Sequence, residues 1–326
     1  MRVLVTGGAG YVGSHAAKCL AENGHHVLIV DSLAEGHRKS VGKLPFVEAD
    51  LLDRQRMVAA LRDHNTEAVM HFAAFAYVGV SVREPATYYQ NNIVGSLALL
   101  EAMRTAGVDR IVFSSSCATY GIPQCVPITE DHPQNPISPY GFTKFVIERA
   151  LADYSHAYGL GYAALRYFNA AGAAADGTLG EDHDPETHLI PLVLQVALGQ
   201  RDYVEIFGTD YPTPDGTCIR DYIHVDDLAT AHVAALEKLQ FGMELKLNLG
   251  TGRGASVQEV IDVCREITGH AIPTRAVERR EGDPPELVAE PTAAQRTLNW
   301  QPRYSIREII ESAWAWHRKH PRGYGD

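Results

Sequence analysis

Residues 3–15 have the sequence Val-Leu-Val-Thr-Gly-Gly-Ala-Gly-Tyr-Val-Gly-Ser-His, with glycines spaced three apart between a β-branched run and a helical pattern. Glycine suits this spacing because the chain must turn sharply, its backbone must approach a pyrophosphate, and the helix must pack tightly on the strand. The start of the helix then offers free N–H groups and the positive end of its dipole to phosphates. The stretch therefore predicts a strand, a dinucleotide-binding turn at Gly7, Gly10 and Gly13, and a helix.

Acidic residues after the next strands extend this pattern. The second strand, 26–30, is followed by Asp31, eighteen residues beyond Gly13. A carboxylate there accepts hydrogen bonds from both ribose hydroxyls and repels a 2′-phosphate, which favours NAD over NADP. Asp50 and Leu51 follow a third strand and are candidates for holding the adenine edge. For Asp50, a role as a turn cap is equally compatible with the sequence.

The order of elements predicts the fold class. In the first half of the chain, strand patterns at 2–6, 26–30, 67–71, 110–114 and 161–166 alternate with helical patterns at 11–22, 54–62, 86–105 and 139–158. Such alternation indicates βαβ units with right-handed crossovers. We therefore predict an α/β fold with a doubly wound parallel sheet of the Rossmann type, covered by helices on both faces.

The regular alternation of strand and helix patterns ends after residue 168. Residues 169–187 and 208–217 have the composition of loops. Helices are predicted at 188–199, 226–239, 256–268 and 304–318, and a strand is predicted at 245–249. We predict a Rossmann domain at 1–168, to which 214–240 returns, and a smaller interleaved α/β substrate-binding domain formed by 169–213 and 241–326.

Composition and charge exclude several classes of protein. The chain has 326 residues, of which 29 are basic and 40 acidic, and its net charge of −11 argues against a nucleic-acid partner. No apolar run reaches the roughly 18–20 residues of a membrane helix, and no leader pattern precedes the first strand. The five cysteines contain no C-x-x-C pair, which is typical of reduced thiols. We therefore expect a cytoplasmic protein that contacts no membrane.

A Ser, Tyr, Lys constellation predicts the chemistry. The strand ending at 113 continues into three serines, so Ser116 lies at the carboxyl end of the sheet, where such folds bind ligands. Tyr140 and Lys144 follow Pro139, a favourable first-turn residue, and share one helix face. A tyrosine four residues before a lysine is a common pair, and a packed surface tyrosine is its ordinary explanation. Here the pair follows a glycine turn and a serine-tipped strand in sheet order, which favours catalysis.

The side-chain types suit a coupled proton and hydride transfer. The pKa of a free tyrosine lies near 10, so it is a poor base at neutral pH. The ammonium of Lys144 and the positive nicotinamide of NAD⁺ favour the phenolate form of Tyr140. The phenolate can then take a proton from a hydroxyl while hydride leaves the same carbon. Ser116 can hold the substrate oxygen and relay the proton.

These motifs resemble the extended short-chain dehydrogenase/reductase superfamily and, within it, the UDP-glucose 4-epimerases. The segments that carry the narrower resemblance are 71–74 (His-Phe-Ala-Ala), 88–92 (Tyr-Tyr-Gln-Asn-Asn), 165–169 (Leu-Arg-Tyr-Phe-Asn), 220–225 (Arg-Asp-Tyr-Ile-His-Val) and 279–283 (Arg-Arg-Glu-Gly-Asp). The resemblance covers nearly the whole chain. It implies tightly held NAD, a UDP-sugar in the smaller domain and a homodimer.

The resemblance also implies a reaction and a set of contacts. Tyr140 would deprotonate the sugar 4-hydroxyl while hydride passes from C4 to NAD⁺. The 4-keto sugar would then turn over, and hydride would return to its other face. The overall reaction would interconvert UDP-galactose and UDP-glucose. The positions that match NAD contacts are Gly7, Gly10, Tyr11, Val12, Gly13, Asp31, Asp50, Leu51, Phe72, Ala73, Ala74, Asn91, Tyr140, Lys144 and Phe168. Those that match UDP-sugar contacts are Ser116, Tyr140, Asn169, Leu189, Phe207, Arg220, Tyr222, Arg280 and Asp283. The two arginines suit a diphosphate, which prefers forked donors, and Phe207 suits the uracil ring.

Some positions depart from the family pattern. Ala76 replaces a lysine found in one branch, which puts one nicotinamide-side contact in doubt. Leu287 stands where that branch has a bulky tyrosine beside the sugar, which predicts activity on UDP-N-acetylhexosamines. Residues 76–79 (Ala-Tyr-Val-Gly) are similar to those of pentose 4-epimerases, so UDP-xylose and UDP-arabinose are alternative substrates.

Other functions fit less well. Nucleotide-sugar 4,6-dehydratases carry an Asp-Glu pair just after the strand hydroxyl, where this chain has Cys117 and Ala118. A non-catalytic NAD-binding protein is disfavoured because both Tyr140 and Lys144 are present. Residues 181–188 (Glu-Asp-His-Asp-Pro-Glu-Thr-His) match no standard metal-site spacing, so we expect a solvated loop and no metal.

Overall fold

Short apolar runs and helical patterns alternate along the computed structural model, which describes residues 1–280 and 282–325. The strands are β1 (Arg2–Thr6), β2 (His26–Asp31), β3 (Phe46–Glu48), β4 (Ala68–His71), β5 (Arg110–Ser116), β6 (Gly161–Tyr167), β7 (Asn169–Ala171), β8 (Val204–Phe207), β9 (Ile219–His224), β10 (Glu244–Leu249), β11 (Gly254–Ser256), β12 (Thr274–Val277) and β13 (Glu286–Leu287). The α-helices are α1 (Tyr11–Glu22), α2 (Arg54–Asp63), α3 (Val78–Arg83), α4 (Pro85–Tyr88), α5 (Gly95–Ala106), α6 (Pro139–Tyr158), α7 (Leu189–Ala197), α8 (Val225–Lys238), α9 (Val257–Thr268), α10 (Thr292–Leu298) and α11 (Ile306–Lys319).

A seven-stranded parallel sheet organises the molecule, with the strand order β10-β6-β5-β4-β1-β2-β3. Helices α1 and α8 cover one face of the sheet, and α2, α5 and α6 cover the other. Because both faces are covered, the central strands contain continuous apolar runs, such as residues 3–5 of β1, rather than alternating residues. This arrangement confirms the predicted doubly wound α/β fold. The chain order reverses between β1 and β4, and ligands bind such sheets outside the carboxyl ends of the strands at that point.

A smaller layer packs beyond this edge. Strand β9 pairs with β7, β11 and β13, while β8 pairs with β12. Its core is formed by helices α7, α9 and α11, which bury apolar side chains such as Val193, Ile261 and Ile309. Helix α11 begins with a capping box in which Ser305 and Glu308 satisfy each other's backbone N–H groups.

Several segments assigned from the sequence differ in the structure. Strand β9 belongs to the smaller layer, so only the helical part of segment 214–240, which forms α8, returns to the Rossmann domain. Strand β10 pairs with β6 in the large sheet, so the assignment of its residues to the substrate-binding segment 241–326 is wrong. The leucines of β10 pack in the same core as α1 and α8. This contact joins residues far apart in the chain, so the local sequence does not indicate it. The helix expected at 86–105 is divided by a π-helical turn at Tyr89–Val94. The loop expected at 169–187 begins with β7, which pairs with β9.

Among the described residues, no helix combines the length and the apolar character that crossing a bilayer requires.

Candidate active site

The glycine turn lies between β1 and α1 and forms a cradle for a phosphate group. A Cβ atom on Gly7, whose φ is +71°, would lie 2.3 Å from the backbone nitrogen of Ala73, and one on Gly13 would lie 2.1 Å from the carbonyl oxygen of Gly7. Neither neighbour can move aside, because both are main-chain atoms. Gly10 begins α1 without a side-chain cap, so the first N–H groups of the helix are open to an anion. The turn therefore fits the pyrophosphate of a dinucleotide.

Asp31 ends β2 beside this turn. Its carboxylate accepts hydrogen bonds from the backbone N–H groups of Ala9, at 2.9 Å, and Leu33, at 2.8 Å. Burial raises the pKa of Asp31, while these backbone donors act against that rise. An ionised carboxylate has about four acceptor positions, so Asp31 keeps acceptor capacity for ribose hydroxyls.

The other predicted cofactor residues surround the carboxyl edge of β1, β3 and β4. Asp50 accepts a hydrogen bond from the backbone N–H of Leu52, which is the turn-capping role left open by the sequence, and one of its oxygens remains available. Leu51 packs against Gly95 at the start of α5. The remaining predicted cofactor residues on this edge are Tyr11 and Val12 on α1, Phe72, Ala73 and Ala74 after β4, Asn91 on the π-helical turn and Phe168 after β6.

A buried asparagine that sequence reasoning did not single out holds two of these segments together. Asn92 accepts a hydrogen bond from the backbone N–H of Phe75, donates to the carbonyl oxygen of the same residue, and donates to Thr143 on α6. It therefore fixes the chain after β4 against the helix that carries Tyr140. No local pattern distinguishes Asn92 from Asn91 in the sequence, since the contact depends on the π-helical turn.

Ser116, Tyr140 and Lys144 converge as predicted at the carboxyl end of β5. Ser138 caps α6 by accepting a hydrogen bond from the backbone N–H of Gly141, and Pro139 occupies its first turn. The ammonium of Lys144 donates to the carbonyl oxygen of Ser114 at 2.7 Å and lies 5.8 Å from the centroid of the Tyr140 ring.

The electrostatics of this group differ from those expected from the sequence. Burial raises the pKa of Tyr140 above its usual value, and the hydrogen bond with Ser116 only partly opposes this. Burial lowers the pKa of Lys144 to about 7 against the attraction of Glu148. Without a further positive charge at the site, the protein therefore holds Tyr140 as a neutral phenol, and Lys144 alone does not make it a base.

Glu148 was also missed from the sequence, although it follows Lys144 by four residues on the same helix face. It is 3% exposed and forms a buried ion pair with Arg166, whose Nη2 lies 2.6 Å from Glu148 Oε2. Ser115 donates to the same carboxylate at 2.5 Å. The recurrence of Tyr140, Lys144 and Glu148 every four residues was a usable signal for a buried polar face.

The predicted substrate residues lie on the second layer. Arg220 on β9 forms an ion pair with Asp283 at 2.5 Å, and its side chain is 11% exposed. Arg280 places its guanidinium 3.9 Å from the centroid of the Phe207 ring. The backbone N–H of Asp283 donates to the carbonyl oxygen of Arg280 at 3.3 Å. The layer therefore carries two guanidinium forks and a flat aromatic ring, which suit a nucleoside diphosphate.

The remaining substrate residues border this layer. Asn169 on β7 pairs in register with Tyr222 on β9, and Leu189 is the first residue of α7. Leu287 on β13 pairs with Arg220. It also packs in one apolar cluster with Phe168 and Cys117, so it lies next to residues from both predicted sets.

Residues 181–188 are only partly solvated, whereas the sequence predicted a solvated loop: residues 184, 185, 187 and 188 are exposed, but the others are covered. Glu181 is 3% exposed, and its carboxylate contacts His188 Nδ1 at 2.5 Å and His183 Nδ1 at 3.3 Å. The expectation failed because the segment packs against Tyr11 and Tyr77, which lie far away in the sequence.

Comparison with known proteins gives one consistent result. The sequence model of the NAD dependent epimerase/dehydratase family matches residues 3–250. A UDP-glucose 4-epimerase of Halalkalibacterium halodurans is 51% identical over 99% of this chain and 98% of its own. The structure of UDP-glucose 4-epimerase from Brucella ovis in complex with NAD has a TM-score of 0.93 and 51% identity, covering 96% of this chain and 97% of that one. The structure of UDP-glucose-4-epimerase from Stenotrophomonas maltophila with bound NAD and formylated UDP-arabinopyranose has a TM-score of 0.95 and 44% identity, covering 99% of each chain.

Proposed function

Since this chain belongs to the NAD dependent epimerase/dehydratase family, we propose that it is an NAD-dependent UDP-glucose 4-epimerase that interconverts UDP-galactose and UDP-glucose. The observation that carries the proposal is the placement of Ser116, Tyr140 and Lys144 at the carboxyl edge of the same sheet that carries the glycine turn. In that turn, a side chain on Gly7 or Gly13 would collide with the main chain. The curated relative from Halalkalibacterium halodurans, 51% identical, supports the same activity.

The catalytic roles follow from the geometry at the end of β5. Tyr140 takes the proton of the sugar 4-hydroxyl, and Ser116 holds the same oxygen. When bound, NAD supplies a reversible acceptor for the hydride at C4 and a positive charge that favours the phenolate. Lys144, fixed by its hydrogen bond to the carbonyl oxygen of Ser114, keeps an ammonium on the face of α6 that carries Tyr140.

Inversion at C4 requires that the sugar present both faces to the same tyrosine. Arg220 and Arg280 hold the diphosphate, and Phe207 is available to the uracil ring, so the substrate is anchored away from its reacting carbon. The hexose can then turn about its link to the diphosphate while the nucleotide stays in place. A single base therefore serves both directions of the reaction.

Elimination of water, as in a 4,6-dehydratase, has no support at this site. That reaction needs an acid and a base beside the reacting sugar in addition to the tyrosine. Cys117 and Ala118 occupy the positions where those groups belong, and burial raises the pKa of Cys117 to about 12. Neither residue can transfer protons at neutral pH.

The decisive experiment incubates purified protein with UDP-galactose, without added cofactor, and follows UDP-glucose by chromatography. Tyr140→Phe should abolish turnover while NAD stays bound. Tyr158→Phe, at an exposed tyrosine of the same helix, is the matched control and should keep full activity. Turnover by Tyr140→Phe at the rate of the control would refute the assignment.

We also propose a broader substrate range. Leu287 packs against the apolar cluster that contains Phe168. Because it is smaller than a tyrosine, we infer that it accommodates a 2-acetamido group and expect UDP-N-acetylglucosamine to be a substrate. A relative crystallised with a formylated UDP-arabinopyranose supports testing UDP-xylose and UDP-arabinose as well. Equal enzyme concentrations assayed on each UDP-sugar would rank them, and no detectable turnover of UDP-N-acetylglucosamine would reject the wider range.

A homodimer is the proposed assembly. Tyr89, Leu97 and Phe142 are exposed apolar residues on neighbouring helical segments, and the rings of Tyr89 and Phe142 lie 6.2 Å apart. A second copy of this chain would cover such a patch. Leu97→Glu should shift the mass measured by light scattering from dimer to monomer, whereas Ile122→Glu, an exposed position outside these helices, should not. A monomeric unmodified protein would overturn the assignment.

We place the protein in the cytoplasm. All five cysteines are free thiols, and Cys218 and Cys264 are buried, which suits a reducing compartment. Fractionation of the cells that make the protein, followed by immunoblotting, would test this, and recovery outside the cytoplasmic fraction would contradict it.

A further inference from the structure

Four metal-ligating side chains meet on the segment that precedes α7. They are Glu181, His183, Glu186 and His188, and one ligand atom from each lies within 4.8 Å of all the others. This set contains two carboxylates and two imidazoles. Once an ion has displaced the ring protons of both histidines, the net charge of −2 balances a divalent cation.

Two separations between ligand atoms are close to those around a small tetrahedral ion. Nδ1 of His183 lies 3.3 Å from Glu181 Oε1 and 3.6 Å from Glu186 Oε2, and all four ligand atoms lie within 4.8 Å of one another. Zinc binds nitrogen and oxygen ligands at about 2.0–2.2 Å, so ligand atoms at tetrahedral corners lie about 3.4 Å apart. The contact between His188 Nδ1 and Glu181 Oε1, at 2.5 Å, is a hydrogen bond that an ion would open.

One buried atom of the cluster has no hydrogen-bond partner. Nδ1 of His183 is inaccessible to solvent and forms no well-aligned hydrogen bond, although it lies within ion-pair distance of both carboxylates. Buried polar atoms are nearly always hydrogen-bonded, so an atom that is not points to a further ligand or a specialised role. Glu186 is held in place by the backbone N–H groups of Thr187 and His188, which donate to its Oε1 at 2.7 and 2.8 Å, and this leaves Oε2 directed at His183.

We propose that Glu181, His183, Glu186 and His188 bind one divalent transition-metal ion, with Zn²⁺ as the best match to two nitrogen and two oxygen ligands in a tetrahedral arrangement. The ion has a structural role. The His183 ring packs edge-on against Tyr11, at 6.2 Å, and Tyr77, at 5.8 Å, and Leu189 follows the cluster directly. The ion therefore ties the start of α7 to the glycine-turn side of the cleft.

The test uses the full-length NAD-loaded protein, free of any histidine tag and stripped with a chelator. Titration with ZnCl₂ should show one tight site per chain by calorimetry. Co²⁺ in place of Zn²⁺ should give the intense visible absorption of tetrahedral coordination. Saturating Zn²⁺ should raise Tm by roughly 5 °C. No tight site in the unmodified protein, or only the weak bands of octahedral Co²⁺, overturns the proposal and leaves the cluster as hydrogen-bonded ion pairs.

Zn²⁺ binding by three histidine variants distinguishes a metal site at this cluster from weak binding to exposed histidines. His188→Gln should weaken Zn²⁺ binding by roughly tenfold or more, because even residues that only support a ligand cost 10–100-fold. His183→Gln should do the same. His156→Gln, at an exposed histidine of α6, should bind Zn²⁺ like the unmodified protein. Circular dichroism and bound NAD show that each variant is folded. Equal binding by all three variants overturns the proposal.

Discussion

Replacement of Lys144 by methionine should make the fold more stable while it destroys activity. Lys144 is 2% exposed, and burial lowers its pKa from the usual 10.5 to about 7. That lowering corresponds to about 5 kcal/mol of preference for the neutral amine over the ammonium in the folded state. At pH 7 the unfolded chain carries the ammonium and the folded chain carries it half the time, so the lysine lowers the free energy of unfolding by about 4 kcal/mol.

Methionine has nearly the shape of lysine without its charge. Lys144→Met leaves the carbonyl oxygen of Ser114 without its donor, which costs about 1–3 kcal/mol. The difference is a net gain of about 2 kcal/mol in the free energy of unfolding at pH 7. For a chain of this size, that gain raises Tm by roughly 4 °C.

The pH dependence identifies the cause. The pKa of Lys144 is lower in the folded state, so between pH 7 and about 10 the unfolded state binds more protons at this position. The stability lost to Lys144 therefore diminishes as pH rises. The advantage of Lys144→Met should therefore be constant below pH 7 and shrink above it. Calorimetry or denaturant unfolding of NAD-free protein, across this range, measures both curves.

The matched control is Lys238→Met at the exposed end of α8, which should leave Tm and its pH dependence unchanged. Turnover of UDP-galactose by Lys144→Met should fall by about 100-fold or more, as expected for loss of a group that assists proton transfer. A fall in Tm at pH 7, or an advantage that grows with pH, would refute the view that Lys144 is a buried, destabilising cation.

Three further substitutions test other parts of the site. Gly13→Ala places a methyl group 2.1 Å from the carbonyl oxygen of Gly7, so the purified protein should lose its NAD absorbance, whereas Gly79→Ala, which meets open space, should retain it. Arg220→Lys should raise KM for UDP-galactose about tenfold with little change in kcat, because a lysine cannot replace the forked guanidinium; an unchanged KM would remove Arg220 from the diphosphate site. Leu287→Tyr should abolish turnover of UDP-N-acetylglucosamine and spare that of UDP-galactose. If kcat/KM falls equally for both substrates, Leu287 does not determine the substrate range.

Local sequence patterns were sufficient to predict most strands of the large sheet and the helix that carries Tyr140 and Lys144. Strands such as β1 contain an unbroken apolar run, here residues 3–5, because both faces of the sheet are covered, and such runs can be located from the sequence. Tyr140 and Lys144 were found because a helix brings residues four apart onto one face. Strand β10 was predicted as an element but assigned to the wrong part, since its own sequence does not encode which sheet it pairs with.

The features that escaped prediction depend on partners far away in the chain. Asn92 acts through Thr143 on α6, and nothing near position 92 indicates that contact. Glu181 is buried because distant aromatic residues cover its segment, whereas the surrounding sequence is rich in polar residues and predicts exposure. Both cases concern side chains that position the site rather than react in it, and such roles leave a weaker sequence pattern than the reacting groups do.

The buried charged groups near Tyr140 are arranged so that the ammonium of Lys144 is not paired with a carboxylate. Glu148 is the carboxylate nearest to Lys144 along the helix, and a simple ion pair between them would neutralise the ammonium. Arg166 instead takes that carboxylate through Nε and Nη2, at 3.0 and 2.6 Å, and Ser115 occupies it further. Lys144 is left with a neutral carbonyl as its hydrogen-bond acceptor, so Glu148 attracts its positive charge without forming an ion pair with it. Burying the Lys144 ammonium lowers the stability of the fold. The same buried charge favours ionisation of the Tyr140 phenol, so the loss of stability accompanies the catalytic role.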